Sequence, residues 1–324
     1  MRVRGGSRPR RNAILYDLSG NPMSRINPLA RTTADEVLAG VDLYRKRMVV
    51  TGCHSDIGFE TMKSLAANGA HVIGLARTIE EAQAACAAAG RSCTPISCDL
   101  TDLRSIDAAV SLIRGDSAPL DAVVANSESD SQPAEHAIFE YIGAFALLNR
   151  LCDLLRRNGG RIVMAATAGA NVRYAARKRK VIAFDPMRFP RAIDSSGLYV
   201  QSTMAIRLYV KEFARRLAVR GVAANAVDAG MAHSLLDPSR HTWGRRRWYL
   251  LTRLFTRSAA QGAATVVLLA ASPQIAGISG EFWINGKIAE TSSLLDDEML
   301  ARRLWEASEK MISGSCRIEH ADVA

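Results

Sequence analysis

The chain has 324 residues, 48% of them hydrophobic, with a formal net charge of +10. That is enough apolar material for one large core, and a doubly wound α/β domain of this length needs no second domain. Its six cysteines include no CxxC pair and the Cys93/Cys98 spacing fits no zinc pattern, so free thiols in a reducing compartment are expected rather than a disulfide scaffold or a metal site.

No stretch reaches the roughly 18 consecutive apolar residues of a membrane span, and the start, MRVRGGSRPRRNAI, lacks an apolar h-region, so a soluble, cytoplasmic protein is expected. Positive charge is clustered: Arg2, Arg4, Arg8, Arg10 and Arg11, then Arg177 to Lys180, then Arg245 to Arg247. The first cluster, with Gly and Pro and no periodicity, marks residues 1–30 as a disordered basic arm, and Met23 is an alternative start that would delete all five arginines. Without an aromatic-rich basic face, nucleic acid is not expected as a partner; a solvated basic surface is.

Thr33 to Asp42 has a capping-type start and a glycine stop, which predicts a short helix before the first strand. Apolar runs and amphipathic stretches then alternate. Strands are predicted at Val49–Thr51, Val72–Leu75, Thr94–Ser97, Ala122–Ala125, Arg161–Ala166, Val222–Val227 and Glu281–Ile284. Helices are predicted at Phe59–Asn68, Glu80–Ala89, Leu103–Arg114, Ala134–Arg157, Leu198–Val219, Ala259–Ala271 and Asp296–Ile312, with a helical insertion around Trp243–Phe255. This alternation implies an α/β fold, a single Rossmann-type doubly wound parallel sheet with helices on both faces, over residues 31–312, followed by a flexible tail over 313–324. Ligands of such sheets lie beyond the carboxyl ends of the strands, where Thr51, Arg77, Asp99, Asn126, Thr167 and Asp228 fall.

Met48 to Gly58, MVVTGCHSDIG, runs from a strand through a glycine-bearing turn into a helix, an arrangement suited to a dinucleotide. Together with TTADEVLAGVDL before it, GFETMKSLAANGAHVIGLART after it, and SGEFWINGK and MLARRLWEASEKM near the end, it makes the chain resemble the short-chain dehydrogenase/reductase superfamily. Within it the resemblance is to the retinol dehydrogenase-like branch, which includes WW-domain oxidoreductases, and it runs from about Arg31 to Ile312. The family's loop is TGxxxGxG; Thr51, Gly52 and Gly58 match it, Ile57 precedes the last glycine, and Asp56 stands in place of the middle glycine. Such glycines let backbone N–H groups approach a pyrophosphate at a helix N-terminus. Asp56 is expected instead to cap that helix with its own carboxylate, competing for those donors and repelling phosphate.

The resemblance implies NADP rather than NAD: Arg77 follows the second strand, where an adenosine 2′-phosphate would lie, and Ala76 supplies no acid for a free 2′-hydroxyl. A surface arginine is the alternative reading of Arg77. Asp99 and Leu100 match the family's adenine-side pair and Asn126 keeps one asparagine of its Asn-Asn-Ala-Gly segment, whereas Glu128 replaces the glycine. The family's proton relay of Asn, Ser, Tyr and Lys maps onto Glu140, Thr167, Tyr199 and Thr203, of which the tyrosine alone is unchanged. Ala229 and Gly230 stand for its Pro-Gly, and Ser234 for the threonine near the nicotinamide amide.

A tyrosine without its lysine has a pKa of about 10, so only about a thousandth is phenolate near pH 7. Residual chemistry should therefore lean toward reduction, in which a neutral tyrosine donates a proton. Glu140 either joins the relay, is a solvated helix residue, or raises the tyrosine pKa further by its negative charge. The insertion HTWGRRRWYLLTRLF either lines an apolar substrate pocket, lies on a membrane surface as a basic amphipathic helix, or packs in the core. Two functions are expected from this: an NADP-dependent oxidoreductase on an apolar alcohol, aldehyde or ketone, weakened or altered in mechanism; or an inactive binding or regulatory subunit on the same scaffold. For either, a homo- or heterodimer through the long helices is expected. The six departures, Asp56, Glu128, Glu140, Thr167, Thr203 and Ala229, fall on cofactor and catalytic positions.

Overall fold

The computed structural model describes residues 32–90, 92–126, 134–166, 195–230, 258–289 and 297–313, with residues 134–140, 166 and 195–202 given by their backbone alone. Its first element, α1 (Ala34–Val37), is shorter than the sequence suggests: Thr33 and Glu36 form a reciprocal capping box, but the chain turns away after one turn. The alternation that follows is β1 (Arg47–Thr51), α2 (Asp56–Ala67), β2 (His71–Ala76), α3 (Ile79–Ala89), β3 (Cys93–Ser97), α4 (Leu103–Gly115) and β4 (Ala122–Asn126). The second half contributes α5 (Ala134–Leu151), β5 (Arg161–Ala166), α6 (Ser195–Leu217), β6 (Ala223–Asp228), α7 (Ala259–Ala271), β7 (Phe282–Ile284), β8 (Lys287–Ile288) and α8 (Glu298–Ser313).

The strands form one sheet in the order β3-β2-β1-β4-β5-β6-β7-β8, parallel from β3 to β7 and closed by the antiparallel β8, which the sequence reading did not anticipate. Successive residues of a strand face opposite sides, so the apolar run of β1 feeds two cores. Val49 packs with α4, α5, α6 and α8 on one face, while Met48 and Val50 pack with α1, α2, α3 and α7 on the other. The order of strands reverses between β1 and β4, which opens a crevice at their carboxyl ends.

Helix α5 is shorter than its periodicity predicts, and the cause is tertiary. Arg220 gathers the carbonyls of Cys152, Asp153 and Leu155 at 2.7, 2.8 and 3.0 Å, and the chain bridges to Leu120 through Leu120 N–H to Leu154 O (2.9 Å) and Arg156 N–H to Leu120 O (2.8 Å). After Leu151 the chain tightens into a single 3₁₀ turn, Cys152–Leu154, and leaves the helix at Leu155. Gly143 sets where α5 lies: a Cβ there would meet the Leu100 carbonyl oxygen at 1.7 Å, so only glycine allows this approach.

Helix α8 lies across α5 and α6 and buries Leu304, Trp305 and Ser308. The Trp305 ring stands edge-on to Phe145 (4.8 Å between centroids) and Phe213 (4.7 Å), with the Arg216 guanidinium 4.3 Å over it. Tyr209 hydrogen-bonds Ser308 of α8 and stacks on Phe145 at 4.6 Å. Burial pushes the Tyr141 hydroxyl up to about 12 and raises that of Tyr209 as well, so both remain neutral parts of the core.

At the opposite ends of the strands, Asp121 is 5% exposed and accepts from the Arg47 backbone N–H (3.0 Å), Lys46 Nζ (3.1 Å) and Arg156 Nε (2.7 Å). This ties β1 to β4 from below. Among the described residues no helix is long and apolar enough to cross a membrane.

Candidate active site

The loop Thr51 to Gly58 closes on itself. Gly52 takes a positive φ of 58°, its carbonyl accepts from the Ser55 backbone N–H (2.9 Å) and the Ser55 hydroxyl (2.8 Å), and a Cβ on Gly58 would lie 2.0 Å from that same carbonyl oxygen. The N-cap of α2 is Ser55, whose Oγ accepts from the Gly58 N–H at 3.2 Å. Asp56 is therefore not the cap that the sequence suggested; it is the first helical residue and is partly exposed. Two neighbouring residues can each cap a helix by type. The tight return onto Gly52 selects Ser55.

The Ile57 side chain packs on α7, beside the segment after β6. A Cβ on Gly262 would touch Ile57 Cδ1 at 3.2 Å and the Ala229 carbonyl at 3.1 Å, so one glycine lets α7 hold both the loop and the segment after β6. Only the backbone of Ile57 can serve a phosphate, with the other first-turn N–H groups that open from a helix start.

At the point where strand order reverses, Thr51 Oγ1 donates to the Asn126 carbonyl (2.8 Å) and accepts from the Asn126 N–H (2.9 Å), and Asn126 Nδ2 donates to the Thr51 carbonyl (3.3 Å). This reciprocal lock joins β1 to β4 and leaves Asn126 Oδ1 buried with no hydrogen-bond partner among the described residues. Such an acceptor, the close glycine turn and the α2 N-terminus fit a nucleotide laid across the crevice; the Asp56 charge opposes its phosphates. Arg77, directly after β2, is partly exposed beside this crevice. Asp99 is engaged locally: its Oδ1 accepts from the Thr101 N–H (2.8 Å) and hydroxyl (2.7 Å), and its own N–H donates to Ser105 Oγ (2.9 Å). Leu100 is pinned by Gly143. Gly230 turns with φ 76° and donates its N–H to Asp228 Oδ1 at 2.8 Å, next to the buried Ala229.

Of the expected relay, Tyr199 and Thr203 lie one turn apart on α6, and Glu140 lies on α5. Thr203 is 1% exposed, an uncharged buried group where the family pattern has lysine. The residue after Glu140 on α5, Tyr141, lies beside Tyr209 of α6, 5.5 Å between ring centroids. Tyr209 follows Tyr199 by about 15 Å of helical rise. Thr167, Ser234, Glu128 and the insertion Trp243–Phe255 lie outside the described residues.

The strand order, the closed glycine loop and the crevice define a nucleotide-binding α/β scaffold of dehydrogenase type. The family model for short chain dehydrogenases matches residues 46–184. The human WW domain-containing oxidoreductase is 32% identical over 321 residues, covering 94% of this chain and 77% of that protein, and the human polyprenol dehydrogenase is 27% identical over 282 residues, covering 81% and 84%. In structure, an uncharacterised protein of Mycobacterium paratuberculosis superposes with a TM-score of 0.64 at 22% identity, over 87% of this chain and 97% of that one. The chain belongs to the short-chain dehydrogenase/reductase family, and oxidoreductase is the general function that this membership supports.

Proposed function

We propose that this protein is an NADP-dependent oxidoreductase that works as a slow reductase of an apolar aldehyde or ketone. The observation that carries this reading is the loop: despite Asp56, it keeps its glycine-tight return and its helix start, because Ser55 and not Asp56 takes the cap. Bound NADPH would supply the hydride. The α2 N-terminus would hold the pyrophosphate, Arg77 the 2′-phosphate, and Asn126 and Gly230 would border the nicotinamide side.

Tyr199 donates the proton to the substrate oxygen, and Thr167 polarises the carbonyl. Thr203 cannot supply the positive charge that would lower the tyrosine pKa, so Tyr199 keeps its proton near neutral pH and donates better than it accepts. Glu140, on α5, is the candidate further member of the relay. The polyprenol dehydrogenase relative supports an apolar substrate, with Trp243 to Phe255 as its cover or as a peripheral membrane contact. A dimer through the long helices would carry α8 into its interface, since α8 packs on both α5 and α6.

One observation favours a second reading. Thr203 is buried and uncharged in the same chain that places Asp56 at the phosphate loop, as in an inactive binding or regulatory subunit. Titration with NADPH and NADH, followed by nucleotide fluorescence and thermal shift, separates the two. Binding of NADPH in preference to NADH, with reductase turnover that falls about 10²–10⁴-fold in Tyr199→Phe, is expected. No binding at millimolar nucleotide would overturn the enzyme reading.

A further inference from the structure

Beneath the phosphate loop three sulfur atoms, unused by the proposed reaction, converge on one point. Gly74, in the middle of β2, has no Cβ, and the three heavy atoms nearest to where one would stand are all sulfur: Met62 Sδ at 2.9 Å, Cys86 Sγ at 3.0 Å and Cys53 Sγ at 3.2 Å. Cys53 belongs to the loop, Met62 to α2 and Cys86 to α3, so three elements meet over one glycine. Cys53 and Met62 are fully buried, Cys86 is 4% exposed, and neither cysteine is in a disulfide. The spacing of these residues along the chain matches no metal-ligand pattern, because the cluster is assembled across elements.

We propose that Cys53, Met62 and Cys86 form a trigonal site for a soft monovalent metal ion, Cu(I), that ties the phosphate loop to α2 and α3. The donor set selects the ion. Among the described residues no group of three or more His, Cys, Asp or Glu is placed to hold a metal ion, so a zinc-type ligand set is lacking there. Two thiols with a thioether instead suit Cu(I). The spacing agrees: a metal–sulfur bond of about 2.3 Å sets the sulfurs of a trigonal ion about 4.0 Å apart, and Cys86 Sγ lies 4.0 Å from Met62 Sδ. For a triangle of that edge, a point about 3 Å from each corner stands about 1.9 Å off its plane. An ion in the plane therefore lies beyond the position of a Cβ and clear of the Gly74 backbone. On binding, Cu(I) replaces the protons of both thiols, which leave to solvent, and Met62 Sδ gives the third bond through a lone pair. No electron is transferred, and the release of protons makes uptake tighter as pH rises. Loading adds metal–sulfur bonds where the reduced chain has packing contacts, so it stabilises the folded form.

The test offers Cu(I), buffered with bicinchoninate under anaerobic and reducing conditions, to the full chain. One ion per chain is expected to leave the chelator, with an ultraviolet thiolate-to-copper absorption, tighter uptake at higher pH and a raised melting temperature. Cys53→Ala and Cys86→Ala should each lose the ion and Met62→Leu should hold it more weakly, whereas Cys93→Ala and Cys316→Ala should keep it. Gly74→Ala keeps all three sulfurs but sets a methyl among them, and should lose the ion as well. Far-ultraviolet circular dichroism checks that each variant is folded. Should an alanine variant fail to fold, X-ray absorption of the copper-loaded wild type decides, with three sulfur neighbours at about 2.3 Å expected. No withdrawal of copper from the chelator, undiminished uptake in folded Cys53→Ala or Cys86→Ala, or a copper environment with fewer than three sulfurs would overturn the site. None of these readouts depends on nucleotide binding, so the site stands or falls apart from the proposed reaction.

Discussion

Replacing Asp56 by asparagine removes one negative charge from the first turn of α2 while leaving the Ser55 cap and the Gly52–Gly58 contact intact. A phosphate charge at the helix start would lie about 6 Å from the carboxylate, and Coulomb's law at an effective dielectric between 20 and 80 gives about 0.7–3 kcal/mol of repulsion per charge. Asp56 is partly exposed, which favours the lower part of that range; relief of about 1–1.5 kcal/mol corresponds to NADPH binding roughly tenfold tighter. Since an acid at this position also favours the helix dipole, Asp56→Asn should cost stability, by about 0.3–1 kcal/mol. Fluorescence titration at low and at high salt reads the first effect, thermal unfolding the second. The gain should shrink as salt screens it. If wild type and Asp56→Asn bind NADPH equally at low salt, the carboxylate does not face the phosphates and the reasoning fails. Ser55→Ala is the companion: as the true cap it should lose about 1 kcal/mol of stability, more than Asp56→Asn.

Three further outcomes test the frame around the site. Gly58→Ala forces its Cβ against the Gly52 carbonyl, so it should destabilise by at least about 1–3 kcal/mol in urea unfolding and abolish nucleotide binding, since the obstacle is backbone. Burial pushes Asp121 up, but hydrogen bonds from Arg156, the Arg47 N–H and Lys46 outweigh it and hold its carboxyl below the usual value. Its stabilisation is thus complete above about pH 4 and lost as pH falls through the lower folded value, and Asp121→Asn should cost about 3 kcal/mol at neutral pH and flatten the acid limb of a melting-temperature profile. Trp305→Ala removes the ring that Phe145, Phe213 and Arg216 enclose, at a cost of about 3–5 kcal/mol in denaturant unfolding, and should raise hydrogen exchange in α8 before other helices.

Much of the fold could be read from periodicity. The bounds of β5 and α7 agree with those read from the sequence, because an apolar run between glycine and turn, and an alanine-rich stretch capped by Ser258 and Gln261, are signals complete within a few residues. Helix α5 could not be bounded this way. Its end is decided by Arg220 and Leu120, which are distant in sequence and meet it only in the folded chain. The same division runs through the site. That a glycine-bearing turn joins β1 to α2, and that Asp56 intrudes on it, follows from residue types in order.

Residue types alone determined the alternation of strand and helix, the family resemblance, the loss of lysine at Thr203 and the presence of a carboxylate beside the phosphate loop. Tertiary structure decided what those residues do: Ser55 rather than Asp56 caps α2, Ile57 packs on α7, Gly143 seats α5 on Leu100, and Cys53, Met62 and Cys86 share the space over Gly74. The physical reason is that capping and apolar pattern are local properties of a few consecutive residues. Which of two candidate groups wins a donor, and which sulfurs share a space, depends on atoms brought together from separate strands and helices.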